Sequence, residues 1–153
     1  MNVVVVGVGN AYRGDDGAGL DVAGRVRELG VEAQIRVCEQ EPSRLVDAWE
    51  GADVAFVVDA VASGAPVGTV HRFDAATALP TALFGPSSTH ALGVADAVEL
   101  ARALGRLPAR TIVYGIEGES FVAGDELTPA VAGAVEAVAH QIVEEVAACT
   151  SRP

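Results

Sequence analysis

Residues 3–19, VVVVGVGNAYRGDDGAG, constrain this chain more than any other stretch. Six consecutive apolar positions, Val3 to Val8 with Gly7 among them, read as a strand buried on both faces. Gly7 and Gly9 let the backbone leave that strand in a tight turn. Asn10, Asp15 and Asp16 then lead into a predicted helix start. Strand-to-helix turns of this kind commonly cradle phosphate, because helix amides and the helix dipole favour an anion there. Here the chain supplies its own anions, and two aspartates at that place point to a cation site.

The rest of the chain alternates strand and helix signals, which predicts a layered α/β fold. A helix is expected over about 17–29, with Leu20, Ala23, Val26 and Leu29 at helical spacing and Gly30 as its stop. Residues 34–38 read as a short strand, and Ser43 can cap a short helix reaching 49. Residues 53–60, DVAFVVDA, form a second fully buried strand, followed after ASGAPVG by a strand at 69–73. That connection is too short for a crossover helix. The 69–73 strand should therefore run antiparallel to its predecessor, at a sheet edge. A loop rich in Pro, Ser and Thr leads to His90, then a helix over 92–104 ended by Gly105, and a last core strand over 110–116. After the loop GIEGESFVAGDEL, Thr128 and Pro129 open a final helix to about 148. The expectation is one three-layer α/β/α domain spanning 1–153, with about five mostly parallel strands and one antiparallel edge strand.

The 153 residues are enough for one domain with a real core, and half of them are hydrophobic. A net charge of −11 and a pI of about 4.5 argue against nucleic acid or an anionic membrane as partner. The N-terminus lacks a basic leader and no apolar run approaches a membrane span, so a cytoplasmic protein is expected. Cys38 and Cys149 fit no metal or redox spacing and are expected as reduced thiols.

Sites in such sheets gather at the carboxyl ends of the parallel strands. Asp16 follows the first strand, Asp59 is the penultimate residue of the 53–60 strand, and His90 stands before a helix. Two carboxylates and an imidazole suit a borderline divalent metal with open positions. Each has a plainer reading as well: a helix cap for Asp15 or Asp16, a turn residue for Asp59, a satisfied loop histidine for His90. His71 and His140 are expected to be structural or exposed. Glu39 and Glu41 could rim the same crevice, and Glu117 and Glu119 lie in a glycine-rich loop suited to docking a partner. Trp49 is expected to be packed. There is no GxSxG elbow, no HExxH and no GxxxxGK[ST], and Tyr12 spoils a dinucleotide fingerprint.

The segments GVGNAYRGDDGAG (7–19), VVDAV (57–61), STHALGVADAVELA (88–101) and YGIEGESFVAGDELTPAV (114–131) together resemble the [NiFe]-hydrogenase maturation proteases, whose opening pattern is GxGNxxxxDDGxG. The resemblance implies the fold outlined above. It also implies an endopeptidase that removes the C-terminal extension of a hydrogenase large-subunit precursor after nickel insertion. Carried over by position, the nickel-contacting, catalytic residues fall on Asp16, Asp59 and His90, with nickel supplied by the precursor. Where many relatives carry Gly-Gly-Thr after the second strand, this chain has Glu39-Gln40-Glu41-Pro42. A monomer is expected. Two other readings stay open at this point: a nucleotide-binding α/β module, and a non-catalytic nickel metallochaperone.

Overall fold

A computed structural model describes residues 1–10, 12–76 and 93–150. Five strands form one sheet: β1 (Val3–Val8), β2 (Gln34–Cys38), β3 (Val54–Val61), β4 (Val70–Asp74) and β5 (Arg110–Glu117), in the order β2-β1-β3-β5-β4. The first three pairings are parallel, and β4 lies antiparallel on β5 at the edge. The edge position and the reversed direction of β4 agree with the sequence reading. Its partner is β5, however, because the parallel β3–β5 pairing fills the free side of β3. β4 alternates in exposure, as an edge strand with one wet face should.

Successive residues of the central strands feed two cores, because side chains alternate across a sheet. Val3, Val5, Phe56, Val58, Ile112 and Ile116 pack under α1 (Ala18–Leu29) and the long C-terminal helix. Val4, Val6, Val8, Ala55, Val57 and Val113 pack under α2 (Pro42–Ala48) and α3 (Val94–Ala103). The C-terminal helix, α4 (Pro129–Thr150), uses Val131, Val135, Val138 and Ile142 for this contact. Both faces of the sheet are therefore covered, and the fully apolar β1 and β3 are the consequence. Trp49 is fully buried among the α2 and α3 contacts.

Three local expectations differ from the structure. The residue before α2 is Glu41, with Pro42 as the first helical residue. Ser43 sits inside the first turn, and its hydroxyl donates to Glu41. β3 and β5 each run one residue further than expected, since the register pairs Val61 with Glu117. Glu117 is thus a strand residue and not part of the following loop. The start of α3 is held by Asp96, whose carboxylate accepts the Gly93 N–H at 2.9 Å.

The seating of α1 fixes the sheet edge where β1 and β3 end. A Cβ on Gly19 would lie 2.4 Å from the carbonyl oxygens of both Val8 and Val58, and one on Gly7 would lie 2.3 Å from Gly19 O. These are backbone atoms that cannot swing aside. Gly19→Ala should therefore destabilise the fold by about 3 kcal/mol, the upper end of overpacking costs. Urea unfolding followed by circular dichroism checks this; an unchanged midpoint would contradict the close seating.

Candidate active site

A four-residue 3₁₀ turn, Gly14–Gly17, joins the end of β1 to α1. It is built on Gly9, whose φ of 148° is open to glycine and whose Cβ would meet Asp16 O at 2.0 Å. The Asn10 N–H donates to Asp16 O at 3.1 Å and closes the loop. This arrangement buries both aspartates of the turn: Asp15 is 0% and Asp16 2% exposed. Neither caps a helix through its own side chain, as no side-chain cap bond is made at the start of the turn or of α1.

The two aspartates do different work. Asp15 turns toward the segment after β5. Its carboxylate accepts N–H donors from Glu119 at 2.7 Å, Ser120 at 3.0 Å and Thr128 at 2.8 Å. The Asp15 N–H returns a bond to Ser120 O at 2.7 Å. Asp15 thereby ties the 118–128 loop and the start of α4 to the first turn. Asp16 lines a cavity of about 240 Å³ together with Gly9, Asn10, Arg13, Glu39, Gln40 and Glu41. Glu39 and Glu41, for which the sequence allowed a place on the rim, line this cavity and are exposed to solvent.

Asp59 stands on β3 opposite Gly115 of β5 and is 3% exposed. Burial pushes its carboxyl well above the usual carboxylate range, and the nearby negative charge of Asp16 pushes it further. The hydrogen bond from Gln40 acts in the opposite sense. The Gln40 Nε2 lies 2.7 Å from Asp59 Oδ1 and 2.8 Å from Oδ2, so a single NH2 group spans both oxygens. Cys38, at the end of β2, feels the same surroundings: burial first, and Asp59 second, push its thiol up to about 11. Such a shift favours the protonated thiol at neutral pH.

The topology thus brings Asp16 and Asp59 to one edge, close enough to couple electrostatically. His90 lies outside the described residues. Among the described residues no three His, Cys, Asp or Glu side chains are grouped for a metal ion. The donor chemistry fits a divalent cation. Two buried carboxylates raise each other's cost of ionisation, and a cation between them would reverse that cost.

One residue escaped the sequence reading, and another has a different role from the one expected. Gln40 follows β2 at the same carboxyl edge, so the rule that selected Asp16 and Asp59 also covers it. Glu117 is 1% exposed and caps the adjacent strand ends. It accepts from the Ser63 N–H and hydroxyl, and His71 Nε2 lies 3.2 Å from its Oε1. Glu117 is structural here and not a docking group, and His71 is structural as expected. His140 is exposed on α4 beside Glu136.

Known proteins resemble this chain in fold and in sequence. Solved structures with the same fold include the [NiFe] hydrogenase maturation protease HycI from Thermococcus kodakarensis KOD1. It is 26% identical, with a TM-score of 0.74 over 95% of this chain and 92% of that one. The hydrogenase maturating endopeptidase HybD from Escherichia coli shares the fold at 24% identity, with a TM-score of 0.78 over 95% and 91% of the two chains. The fold is therefore that of the α/β maturation peptidases. In sequence, residues 40–145 match the HycI family of hydrogenase maturation proteases. The hydrogenase expression/formation protein HupD of Rhodobacter capsulatus is 30% identical over 154 residues, 95% of this chain and 71% of that protein. The chain belongs to the hydrogenase maturation protease family, and it is a protease.

The raised proton affinity of Asp59 has a thermodynamic consequence. Ionising it in the folded protein costs stability. That cost is absent below about pH 4, where the unfolded carboxylate is already protonated. It grows as pH rises toward the folded value and is constant above it. Asp59→Asn removes it. The variant should be more stable than wild type at neutral pH by about 1–2 kcal/mol, a gain of several degrees in Tm. The gain should vanish as pH approaches 4. Calorimetry at several pH values tests this, and a less stable variant at neutral pH would contradict it.

Proposed function

We propose that this protein removes the C-terminal extension of a [NiFe]-hydrogenase large-subunit precursor after nickel insertion, and that it recognises the substrate through the nickel itself. The observation that carries the reading is the pair of buried, electrostatically coupled carboxylates, Asp16 and Asp59, at the edge where α1 meets β1 and β3. Membership of the maturation protease family supports the reaction class. In this reading the protein acts in the cytoplasm as a monomer.

The physical logic runs from the donor set. Oxygen and imidazole ligands alone hold a borderline divalent ion only moderately, and thiolates add the rest. A precursor that brings nickel on its own cysteine thiolates supplies what Asp16, Asp59 and His90 lack. The three side chains complete the coordination and hold the adjoining peptide over the cavity. Arrival of the cation stabilises the ionised form of Asp59, so engagement releases a proton. Engagement should therefore weaken as pH falls through the raised value of Asp59. One carboxylate of the pair accepts the proton of the attacking water. The acidic wall, with Glu39 and Glu41 exposed, faces whatever part of the precursor surrounds the scissile bond.

Asp16→Ala, Asp59→Ala and His90→Ala should each fold and each fail to process a nickel-loaded precursor. The residual rate should be at least about 100-fold below wild type. Mass spectrometry of the precursor C-terminus, with and without nickel, reads this directly. Normal processing by the three single variants, or nickel-independent cleavage by the wild type, would defeat the proposal.

A further inference from the structure

Gln40 stands between the cavity and Asp59. It lines the cavity beside Asp16, whereas Asp59 does not reach the cavity wall. Its Nε2 contacts both Asp59 oxygens, at 2.7 and 2.8 Å. That is the position from which an ion would grip the carboxylate with two bonds. Its Oε1 is buried and accepts no hydrogen bond among the described residues. An amide placed for its own sake would satisfy its oxygen as well as its NH2. This one leaves the oxygen unserved and sets its nitrogen against both oxygens of a single carboxylate. The side chain is held by Asp59 and by little else polar.

We propose that the Gln40 NH2 group is a stand-in for the cation, occupying the Asp59 oxygens until an ion displaces it. The inference rests on the reading of Asp16 and Asp59 as cation ligands. It adds a discrimination step to that reading. A free aqueous ion must break both contacts of Gln40 and gains only the side chains of the site. An ion already carried on precursor thiolates arrives with most of its coordination filled, and it is pressed into the site by the docked polypeptide. Gln40 therefore sets the isolated protein against scavenging free metal and leaves it open to metal presented by substrate. The part of Gln40 that moves is one unanchored amide, so the displacement needs no backbone change.

The test is calorimetric titration of free Ni²⁺ into wild type, Gln40→Leu and the double variant Gln40→Leu/Asp59→Asn. Leucine keeps the bulk and removes the amide, including the buried oxygen without a partner, so the fold is not put at risk. Gln40→Leu should bind Ni²⁺ about tenfold more tightly than wild type, the equivalent of losing one charge-assisted contact, and the double variant should lose the gain. Equal or weaker binding by Gln40→Leu would overturn the inference, as would absence of nickel binding in both proteins. Nuclear magnetic resonance of the wild-type Gln40 side-chain NH2 gives a second readout. Its signals should shift as diamagnetic Zn²⁺ saturates the site. Unmoved signals, with Zn²⁺ binding that Asp59→Asn abolishes, would also overturn it. Failure here with nickel-dependent cleavage of the precursor intact would leave the proposed function standing. Failure of the precursor assay would remove both.

Discussion

The first helix sits so close to the ends of β1 and β3 that no side chain fits at Gly19, and this contact governs the whole edge. Backbone carbonyls of Val8 and Val58 face the helix start directly. With the helix held there, the turn before it has no room to lie flat. It folds into a tight 3₁₀ loop and sends both aspartates inward. Asp15 becomes the tie that holds the loop after β5, and Asp16 becomes a wall of the cavity. The neighbouring strand then contributes Asp59 to the same edge. A single steric constraint thus sets the distance between two acids that are far apart in sequence.

The electrostatic result is a buried Asp59 that resists ionisation. Buried carboxylates resist ionisation, and a second negative charge nearby increases the resistance. Among the described residues Asp59 is met by one neutral amide, Gln40, and by no cationic side chain. Perturbed groups that no structural ion pair explains are characteristic of functional sites. Burial at the same edge, with Asp59 nearby, also pushes the Cys38 thiol up. In the proposed function this pair supplies oxygen donors to an ion that brings further ligands with it.

Much of this was legible in the sequence, for specific reasons. The valine-rich β1 and β3 are apolar throughout because both faces are covered, and such runs are hard to mistake. Pro129 after Thr128, and the glycines that end α1 and α3, mark helix boundaries through backbone geometry alone. Asp16 and Asp59 followed from the rule that places sites at strand ends. The edge strand β4 was readable in direction but not in partner, because short connections fix orientation and leave adjacency open. Asp15 could be read only as a cap, since its partners lie more than a hundred residues away. Gln40 was missed and Glu117 read as a docking group for a related reason: each owes its role to a contact across strands that no local spacing encodes. His90 lies outside the described residues, and its assignment rests on its place before the helix expected over 92–104 and on the family resemblance.

The central claim is that Asp16 and Asp59 grip one cation jointly. Anomalous diffraction at the nickel edge, on crystals grown with excess Ni²⁺, measures this most directly. The account predicts one anomalous peak within about 2.0–2.2 Å of a carboxylate oxygen from each aspartate, with the His90 ring completing the group. A peak bound to only one of the two carboxylates, or one elsewhere on the molecule with this edge empty, would contradict it.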